Sequence, residues 1–382
     1  MNKKLIWSLI VIVVIIVIVL FASQNNSRPQ TVNAPIKIGA VISLTGDAAP
    51  WGGYAKNGMD LAVNEINAGG GIDGRKVEVV YEDDHTDPKQ GVSAFNKLVS
   101  IDHVEGIIGG VFDFTAQPLI PLALNEKVAF ISPSNFRIAG GFDLNEQSFV
   151  MRTDFNQTVE KIEPFIASSS IKKLAVVHFK STFGGEIAKT LDGVMKGLGR
   201  QGIIDEPYDK IGNNDFKTTI IKLKSAGVDG VFLDMVANDP LIFLKQAKQL
   251  GFSPSIITYN GLTDAFSNET DKSPMNGVII LNWEIASPQF NDMYEKAYGI
   301  PATKSADRYF DAVYVMAEGI AKADSLLPTS GFEHQRVAPY IEKTAFFTPN
   351  SSAIIFTPEH SVKNTDVMIQ VIKNGAAVPW VK

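Results

Sequence analysis

The stretch IKIGAVISLTGDAAPWGGYAKNGMDLAVNEINAGGG, residues 36–71, decides the fold class. It opens with the β-branched run Ile36–Ile42, which is typical of a buried strand. Beyond a loop at residues 43–53, apolar or small side chains recur at the spacing of one helical face: Ala55, Met59, Ala62, Val63 and Ile66. Three glycines then end the helical pattern. A strand, a loop and an amphipathic helix in this order predict one unit of an α/β sheet.

The same alternation of strand and helix continues along the chain. Further short β-branched runs predict buried strands at residues 77–81, 106–109, 128–131, 174–178, 230–233, 255–259 and 277–281. Such alternation favours parallel, doubly wound sheets with helices on both faces. The chain from Pro35 to Lys382 is longer than one hydrophobic core usually organises, so two lobes are expected.

Four loops are candidates for a ligand site, because ligands of such sheets lie beyond the carboxyl ends of the strands. They cover residues 43–53, 110–118, 132–137 and 180–186. Each contains an aromatic residue and hydrogen-bonding groups beside a predicted helix start, where backbone N–H groups can hold an anion.

The N-terminal segment predicts a membrane-targeted protein. Residues 5–22 read LIWSLIVIVVIIVIVLFA, an uncharged run whose helical length of roughly 27 Å approaches that of a bilayer core. Lys3 and Lys4 precede it, so the positive-inside rule predicts that everything after residue 22 is exported. The alternative, a cleaved signal peptide, is disfavoured because Leu20-Phe21-Ala22 matches a cleavage site poorly. The polar residues 23–34 are expected to form a tether.

Composition narrows the possible chemistry and partners. The chain contains no cysteine, which excludes disulfides, thiol chemistry and a lipid-modified N-terminal Cys. With 35 basic and 41 acidic residues its formal net charge is −6, and no basic stripe predicts a nucleic-acid partner.

Several blocks, taken together in their order, resemble the type I periplasmic solute-binding proteins of the branched-chain amino acid transport family. Besides residues 36–92 these blocks are VEGIIGG followed by TAQP, then FISPSN, FVMRT, GGEIAK and DFKTTIIKLKSAGVDGVFL. The resemblance implies two Rossmann-like lobes, joined by three hinge crossings, that close on a small solute. The crossings are expected near residues 151–153, 281–283 and 352–356. Lobe 1 then comprises residues 35–152 plus 283–353, and lobe 2 residues 153–282 plus 354–382.

The resemblance also assigns ligand positions, but the chemistry there differs. In the amino acid binders a Ser or Thr after the third strand holds the carboxylate; here Asp113 occupies that position. A small residue and a Thr after the fourth strand correspond to Asn135 and Phe136, and the acidic residue that caps the amine corresponds to Asn260. An Asp would repel a carboxylate, and Asn260 has no charge to pair with an ammonium.

Aromatic residues near these positions suggest a cleft for an apolar, aromatic or cationic solute. The full candidate ligand-binding set is Trp51, Asp113, Phe114, Thr115, Ser134, Asn135, Phe136, Phe183 and Asn260. Three alternatives stay open. Phe112 and Phe114 alternate, so one of them can face the lobe core. Asp113 or Thr115 can simply cap a helix starting near Gln117 and Pro118. Arg137 can clamp a carboxylate or be solvated.

Other signals do not indicate catalysis. The acidic turn at residues 82–87 lacks the glycine and spacing of a calcium loop. The glycines of residues 69–74 follow a helix and precede a strand, the reverse of a dinucleotide motif. No cofactor, metal site or catalytic set is expected, so the protein is predicted not to be an enzyme. The sequence favours an extracytoplasmic solute receptor for an ABC permease, with a membrane-anchored ligand sensor as the alternative.

Overall fold

A computed structural model describes residues 34–380, except residues 136, 139, 141, 153, 211, 213, 236–237, 260–270, 283–285, 304, 326–335 and 363–366. The expected anchor, residues 5–22, and nearly all of the expected tether lie outside the described residues. Within the described ranges, no helix combines the length and the apolar character that crossing a bilayer requires.

The first sheet contains five parallel strands in the order β2-β1-β3-β4-β5. These are β1 (Ile36–Ile42), β2 (Val77–Asp83), β3 (Gly106–Gly109), β4 (Phe130–Ser132) and β5 (Ser148–Val150). The helices between them are α1 (Ala49–Ala68), α2 (Pro88–Ser100), α3 (Asp113–Ala116) and α4 (Leu119–Glu126). Parallel pairing places the carboxyl ends of these strands at one edge of the sheet.

The second sheet begins after α5 (Phe155–Ser168) and has a parallel centre. Its parallel strands are β6 (Leu174–Phe179), β7 (Ile204–Tyr208), β8 (Gly230–Asp234), β9 (Ser255–Tyr259) and β10 (Ile279–Asn282). The helices of this half are α6 (Thr182–Gly197), α7 (Lys217–Ser225), α8 (Asp239–Gln249) and a 3-10 turn at Ser273–Met275.

The chain then returns to the first half before it completes the second sheet. Helices α9 (Pro288–Tyr298) and α10 (Ala306–Ser325) pack against α1, and α11 (Val337–Lys343) packs against α10. Strands β11 (Ala345–Phe346) and β12 (Ile354–Ile355) form a separate antiparallel pair. Strands β13 (Met368–Lys373) and β14 (Ala376–Pro379) extend the second sheet, and its order is β14-β13-β10-β9-β8-β6-β7.

Alternation of side chains along each strand separates the buried residues into three clusters. In β1, Ile36, Ile38, Ala40 and Ile42 face the cluster that contains α1 and α10, whereas Val41 faces the opposite one. That opposite cluster continues through α5 and α6 onto one face of the second sheet, and the third cluster covers the other face. The two sheets are therefore joined by a shared middle core rather than by a linker alone.

The predicted α/β architecture is confirmed, and the ends of β1, β3 and β9 agree with the sequence prediction. Among the parallel strands, β5 and β7 lie outside the predicted set. Ile354, Phe356 and Val362 pack in the first cluster, so the final segment enters the second sheet only at β13. The sequence had placed residues 354–382 with lobe 2.

Candidate functional site

The turn after β3 presents Asp113 and Phe114 at the carboxyl edge of the first sheet. Gly110, with φ of +72°, turns the chain, and a Cβ there would collide with Ala116. The buried Thr115 hydroxyl donates to the Phe112 carbonyl (3.1 Å) and accepts from the Phe112 N–H (3.3 Å). Thr115 therefore holds the turn, as the capping alternative expected. The short helix α3 begins at Asp113. Helix α4 begins at Leu119, close to the expected start near Gln117 and Pro118, but its N-cap is Pro118 rather than Asp113 or Thr115.

The loop after β4 is tied down by its own polar side chains. The Ser134 hydroxyl donates to the Val111 carbonyl (2.8 Å). The Asn135 amide, 8% exposed, donates to the Gly110 carbonyl (2.9 Å) and to the Ser132 hydroxyl (2.8 Å). Both residues thus stabilise the turn after β3 by hydrogen bonds to its backbone carbonyls. Phe136, which was expected beside them, lies outside the described residues.

Arg137 pairs with Asp154, whose carboxylate also caps α5 by accepting from the Asn156 N–H. The alternative in which Arg137 clamps a ligand carboxylate is therefore not favoured, because its guanidinium already has an anionic partner.

Trp51 lies in the first turn of α1 and not in a loop as the sequence predicted. The helix starts before Trp51 because Pro50 suits its first turn. Gly52 then lies directly against the residue after β1, where a Cβ would stand 1.8 Å from the Ser43 carbonyl oxygen. Trp51 is half-buried, and its ring centroid is 5.8 Å from that of Phe112.

The acidic residues at the end of β2 stabilise the loop between β1 and α1. Asp84 is fully buried and accepts from the Ser43 hydroxyl (2.6 Å), while Asp83 accepts from the Leu44 N–H (2.9 Å) and the Thr45 hydroxyl (2.6 Å). These carboxylates fix the loop between β1 and α1 by ordinary hydrogen bonds.

Phe179 is the aromatic side chain of the second half that meets the first half. It ends β6, is half-buried, and its ring lies 5.0 Å from that of Phe114. Phe183, which the sequence placed at the cleft, is instead buried in the middle core with its ring edge-on to Phe155. The reason is its position in the first turn of α6, whose apolar face packs on that core.

Ser181 stands beside this contact as the N-cap of α6. Its hydroxyl oxygen accepts from the Gly184 N–H (3.0 Å). The same hydroxyl lies close enough to Asp113 to favour the ionised form of that carboxyl group.

The structure adds two residues that the sequence analysis missed, Asp234 and Tyr259. They end β8 and β9 at the edge that faces Asp113. Burial and, to a smaller extent, the nearby Asp113 carboxylate together raise the pKa of Asp234 to about 8. Burial also raises the pKa of Asp113, and burial together with both carboxylates raises that of Tyr259. A rule that takes strand-end residues as ligand contacts would have found Asp234, because GVFLD ends in a carboxylate.

Aromatic rings line the same region in a continuous series that crosses between the two halves. Successive centroid distances are 5.8 Å from Trp51 to Phe112, 5.7 Å to Phe114, 5.0 Å to Phe179 and 5.7 Å to Tyr208. The site thus combines two carboxyl groups with aromatic walls from both sheets. Asn260 lies outside the described residues.

Comparison with known proteins identifies relatives of this architecture. The chain is 30% identical over 303 residues to "Leu/Ile/Val-binding protein homolog 3" of Brucella melitensis, covering 76% of this chain and 80% of that protein. It is 27% identical over 342 residues to the leucine-, isoleucine-, valine-, threonine- and alanine-binding protein of Pseudomonas aeruginosa, covering 87% of this chain and 89% of that one.

Solved structures share the fold at lower identity. The branched-chain amino acid transporter substrate-binding protein LivJ of Streptococcus pneumoniae, in complex with isoleucine, superposes with a TM-score of 0.75 at 22% identity. The match covers 90% of this chain and 97% of that one. An ABC transporter solute-binding protein of R. palustris in complex with benzoate also gives a TM-score of 0.75, at 18% identity and with 90% and 95% coverage.

A family model supports the same assignment over almost the whole described chain. The model described as periplasmic binding protein matches residues 35–377, a range that includes both sheets and every loop of the candidate site. The chain therefore belongs to the periplasmic binding protein family.

Proposed function

We propose that the protein is the extracytoplasmic substrate-binding component of an ABC transporter, and that it holds a small organic solute between its two halves. One observation carries the proposal. One interior region is lined at the carboxyl ends of the strands of both sheets. Asp113 and Phe114, after β3, line it from the first sheet, and Phe179 and Asp234 line it from the second. Relatives named for Leu, Ile and Val binding, and fold neighbours holding isoleucine or benzoate, support a solute of that size.

The ligand contacts are proposed to come from three kinds of residue. Asp113, Phe114 and Trp51 contact the solute, whereas Thr115, Ser134 and Asn135 act by holding the loops in shape. Phe136 and Asn260 keep their expected places in the ligand-binding set, although both lie outside the described residues. Phe179 takes the role that had been expected for Phe183.

Ligand capture is proposed to work by hinge closure of lobe 1 (residues 35–152 plus 283–353) on lobe 2 (residues 153–282 plus 354–382). The final part of lobe 2 is taken to start at β13, because Ile354, Phe356 and Val362 pack with lobe 1. The first crossing is held by the segment that follows the third, since the Val362 N–H donates to the Arg152 carbonyl (3.0 Å). Arg152 is also buried, and it donates to the Ser305 hydroxyl (2.6 Å). Closure around a solute would present one defined surface to the permease, a separate chain.

Residues 5–22 are proposed to anchor the protein to the outer face of the cytoplasmic membrane, because the run is uncharged and follows two lysines. Carbonate washing of membranes should leave the full-length protein bound, and replacing residues 5–22 with a cleavable signal peptide should release it. A protein that carbonate extracts, or whose mature N-terminus lies after residue 22, would show that the anchor is cut or absent.

The transport proposal is tested by uptake and by ligand recovery. Cells that lack this protein should lose accumulation of a solute that the purified protein binds, and the full-length chain should restore it. The ligand recovered from the protein should have an unchanged mass, because no covalent step is proposed. Normal uptake in the deletion strain would contradict the transport role and favour the sensor alternative.

A further inference from the structure

Two carboxyl groups from opposite halves of the protein meet in the proposed binding region. Asp113 is the first residue of α3, and Asp234 is the last residue of β8. Both are surrounded by protein yet keep some solvent-accessible surface, as groups lining an enclosed cleft do. They are close enough for the charge of Asp113 to disfavour ionisation of Asp234.

Neither carboxyl group is neutralised by a cationic side chain of the described residues. Asp113 Oδ2 is completely buried and accepts no hydrogen bond from any described residue. Its other favourable contacts are the Ser181 hydroxyl and backbone N–H groups. A buried carboxylate oxygen without a donor is costly, so this atom points to a donor that arrives with the ligand.

The walls of the region independently favour a positive charge. The rings from Trp51 to Tyr208 form a series that includes Phe114, which follows Asp113 in the chain, and Phe179, which follows His178, the strand partner of Asp234. Aromatic faces carry negative charge density and attract cations, while their area binds an apolar body. An anionic ligand group at this place would be repelled by the Asp113 carboxylate and would further disfavour ionisation of Asp234, whereas a cationic group favours the ionised form of both.

We propose that the solute is an organic cation whose protonated amine lies between Asp113 and Asp234 and whose apolar body packs on the aromatic walls. This inference rests on the proposed solute-binding function and narrows its substrate class. An inorganic cation fits less well, because Ca²⁺ takes about six to eight oxygen ligands and no three His, Cys, Asp or Glu side chains of the described residues form a group that could hold a metal ion. A protonated amine needs fewer oxygen acceptors and uses the rings as well.

The test compares ligands that differ in charge but not in shape. Calorimetric titration of the full-length protein in mild detergent uses phenethylamine and isopentylamine, their alcohols 2-phenylethanol and isoamyl alcohol, the carboxylate benzoate, and leucine, which adds a carboxylate to the isopentylamine skeleton. Each amine should bind at least tenfold more tightly than its alcohol. Asp113→Asn and Asp234→Asn should each remove at least tenfold of the amine affinity.

Asp292→Asn is the matched control, since it makes the same change at an exposed position on α9 and should leave affinity unchanged. Asp234→Glu keeps the charge and should retain most of the affinity, which separates charge recognition from a folding defect. Circular dichroism melting of every variant checks the fold.

Three results would overturn the inference. The first is tighter binding of leucine, benzoate or an alcohol than of the amines, which contradicts the cation but leaves solute binding intact. The second is calorimetric binding of CaCl₂ or MgCl₂ alone with an affinity equal to that of the amines. The third is an absence of amine binding, and solute uptake in the deletion strain then decides separately whether the transport function also fails.

Discussion

Two buried acidic regions of this protein differ in how their carboxylates are satisfied. Asp311 on α10 is fully buried, and it accepts from Thr348, from the Asn350 amide (2.8 Å) and from the Ser351 hydroxyl (2.6 Å). Arg308 also lies near enough to favour its charge. Asp113 and Asp234 instead face each other without a described cation, and Asp113 Oδ2 has no described donor.

The difference distinguishes a structural carboxylate from a recognising one. Burial raises the pKa of Asp311 and of Asp234 alike, so desolvation by itself does not mark a binding site. The donors around Asp311 tie the segment between β11 and β12 to α10, and that arrangement needs nothing from outside. Among the described residues, the Asp113–Asp234 pair still lacks a donor and a cation, which a ligand can supply.

The largest effect is expected when the structural carboxylate is removed. Asp311→Ala leaves three partly buried donors without their fully buried acceptor, so the free energy of unfolding should fall by about 3 kcal/mol. Urea denaturation measures this loss, and calorimetry should show no change in ligand affinity under folding conditions. An unchanged urea midpoint would remove the distinction between the two regions.

Removing the carboxylate of Asp234 is expected to change the stability in the opposite direction from removing that of Asp311. The pKa of Asp234 is about 8 in the folded protein against 3.8 for the ordinary group, with Asp113 and Tyr259 as the titratable groups that face it. Between pH 4 and 8 the folded state therefore holds a proton that the unfolded state has lost, so stability falls as the pH rises. Asp234→Asn removes this dependence.

Without ligand, Asp234→Asn should be more stable than the natural protein at pH 8 by at least about 1.4 kcal/mol, the worth of one pKa unit. The difference should shrink at pH 5 and vanish below pH 4. Urea denaturation at the three pH values provides the measurement. A variant that is destabilised at pH 8 would show that Asp234 is a structural acceptor like Asp311.

The fold could be predicted largely from the sequence because its strands are buried on both faces. Continuous β-branched runs such as Ile36–Ile42 and Ser255–Tyr259 are the pattern that parallel strands require. Strand β7, IDEPY, escaped prediction because it is an edge strand whose alternate residues are exposed and which contains Pro207. Strand β5 has only three residues, too few for a periodic signal.

The site was less accessible to sequence reasoning, since it depends on which strand-end residue turns toward the partner half. The predicted strands stopped at His178 and Leu233, so Phe179 and Asp234 were assigned to no loop. Thr115 and Asn135 have ligand-like chemistry, but their hydrogen-bonding groups are used by the neighbouring backbone. Such local competition between backbone and ligand is visible only in three dimensions.

Removing one ring of the aromatic wall is expected to weaken ligand binding moderately. Trp51→Ala removes a half-buried ring that contacts Phe112, so phenethylamine affinity should fall by about 1 kcal/mol. Trp380→Ala is the matched control, because Trp380 packs on Phe165 in the middle core and should alter stability alone. Equal affinities for the two variants would place Trp51 outside the binding region.

The smallest expected change in stability comes from Ser181, where a matched variant separates helix capping from ligand recognition. Ser181 caps α6 through the Gly184 N–H (3.0 Å), and Ser287 caps α9 in the same way through the Phe290 N–H (3.1 Å). Replacing either serine with alanine should lower the free energy of unfolding by about 0.5–1 kcal/mol, because one helix N–H loses its acceptor.

Of these two serines, only Ser181 also favours the ionised form of Asp113. Ser181→Ala should therefore weaken amine binding several-fold at pH 7, and the loss should shrink as the pH rises and Asp113 ionises without help. Ser287→Ala should leave amine affinity unchanged at every pH. Because the two variants share the capping loss, parallel urea and calorimetric titrations isolate the contribution of the hydroxyl to recognition. Identical binding curves would mean that Ser181 acts on the helix alone and that the charge of Asp113 is set by its backbone donors.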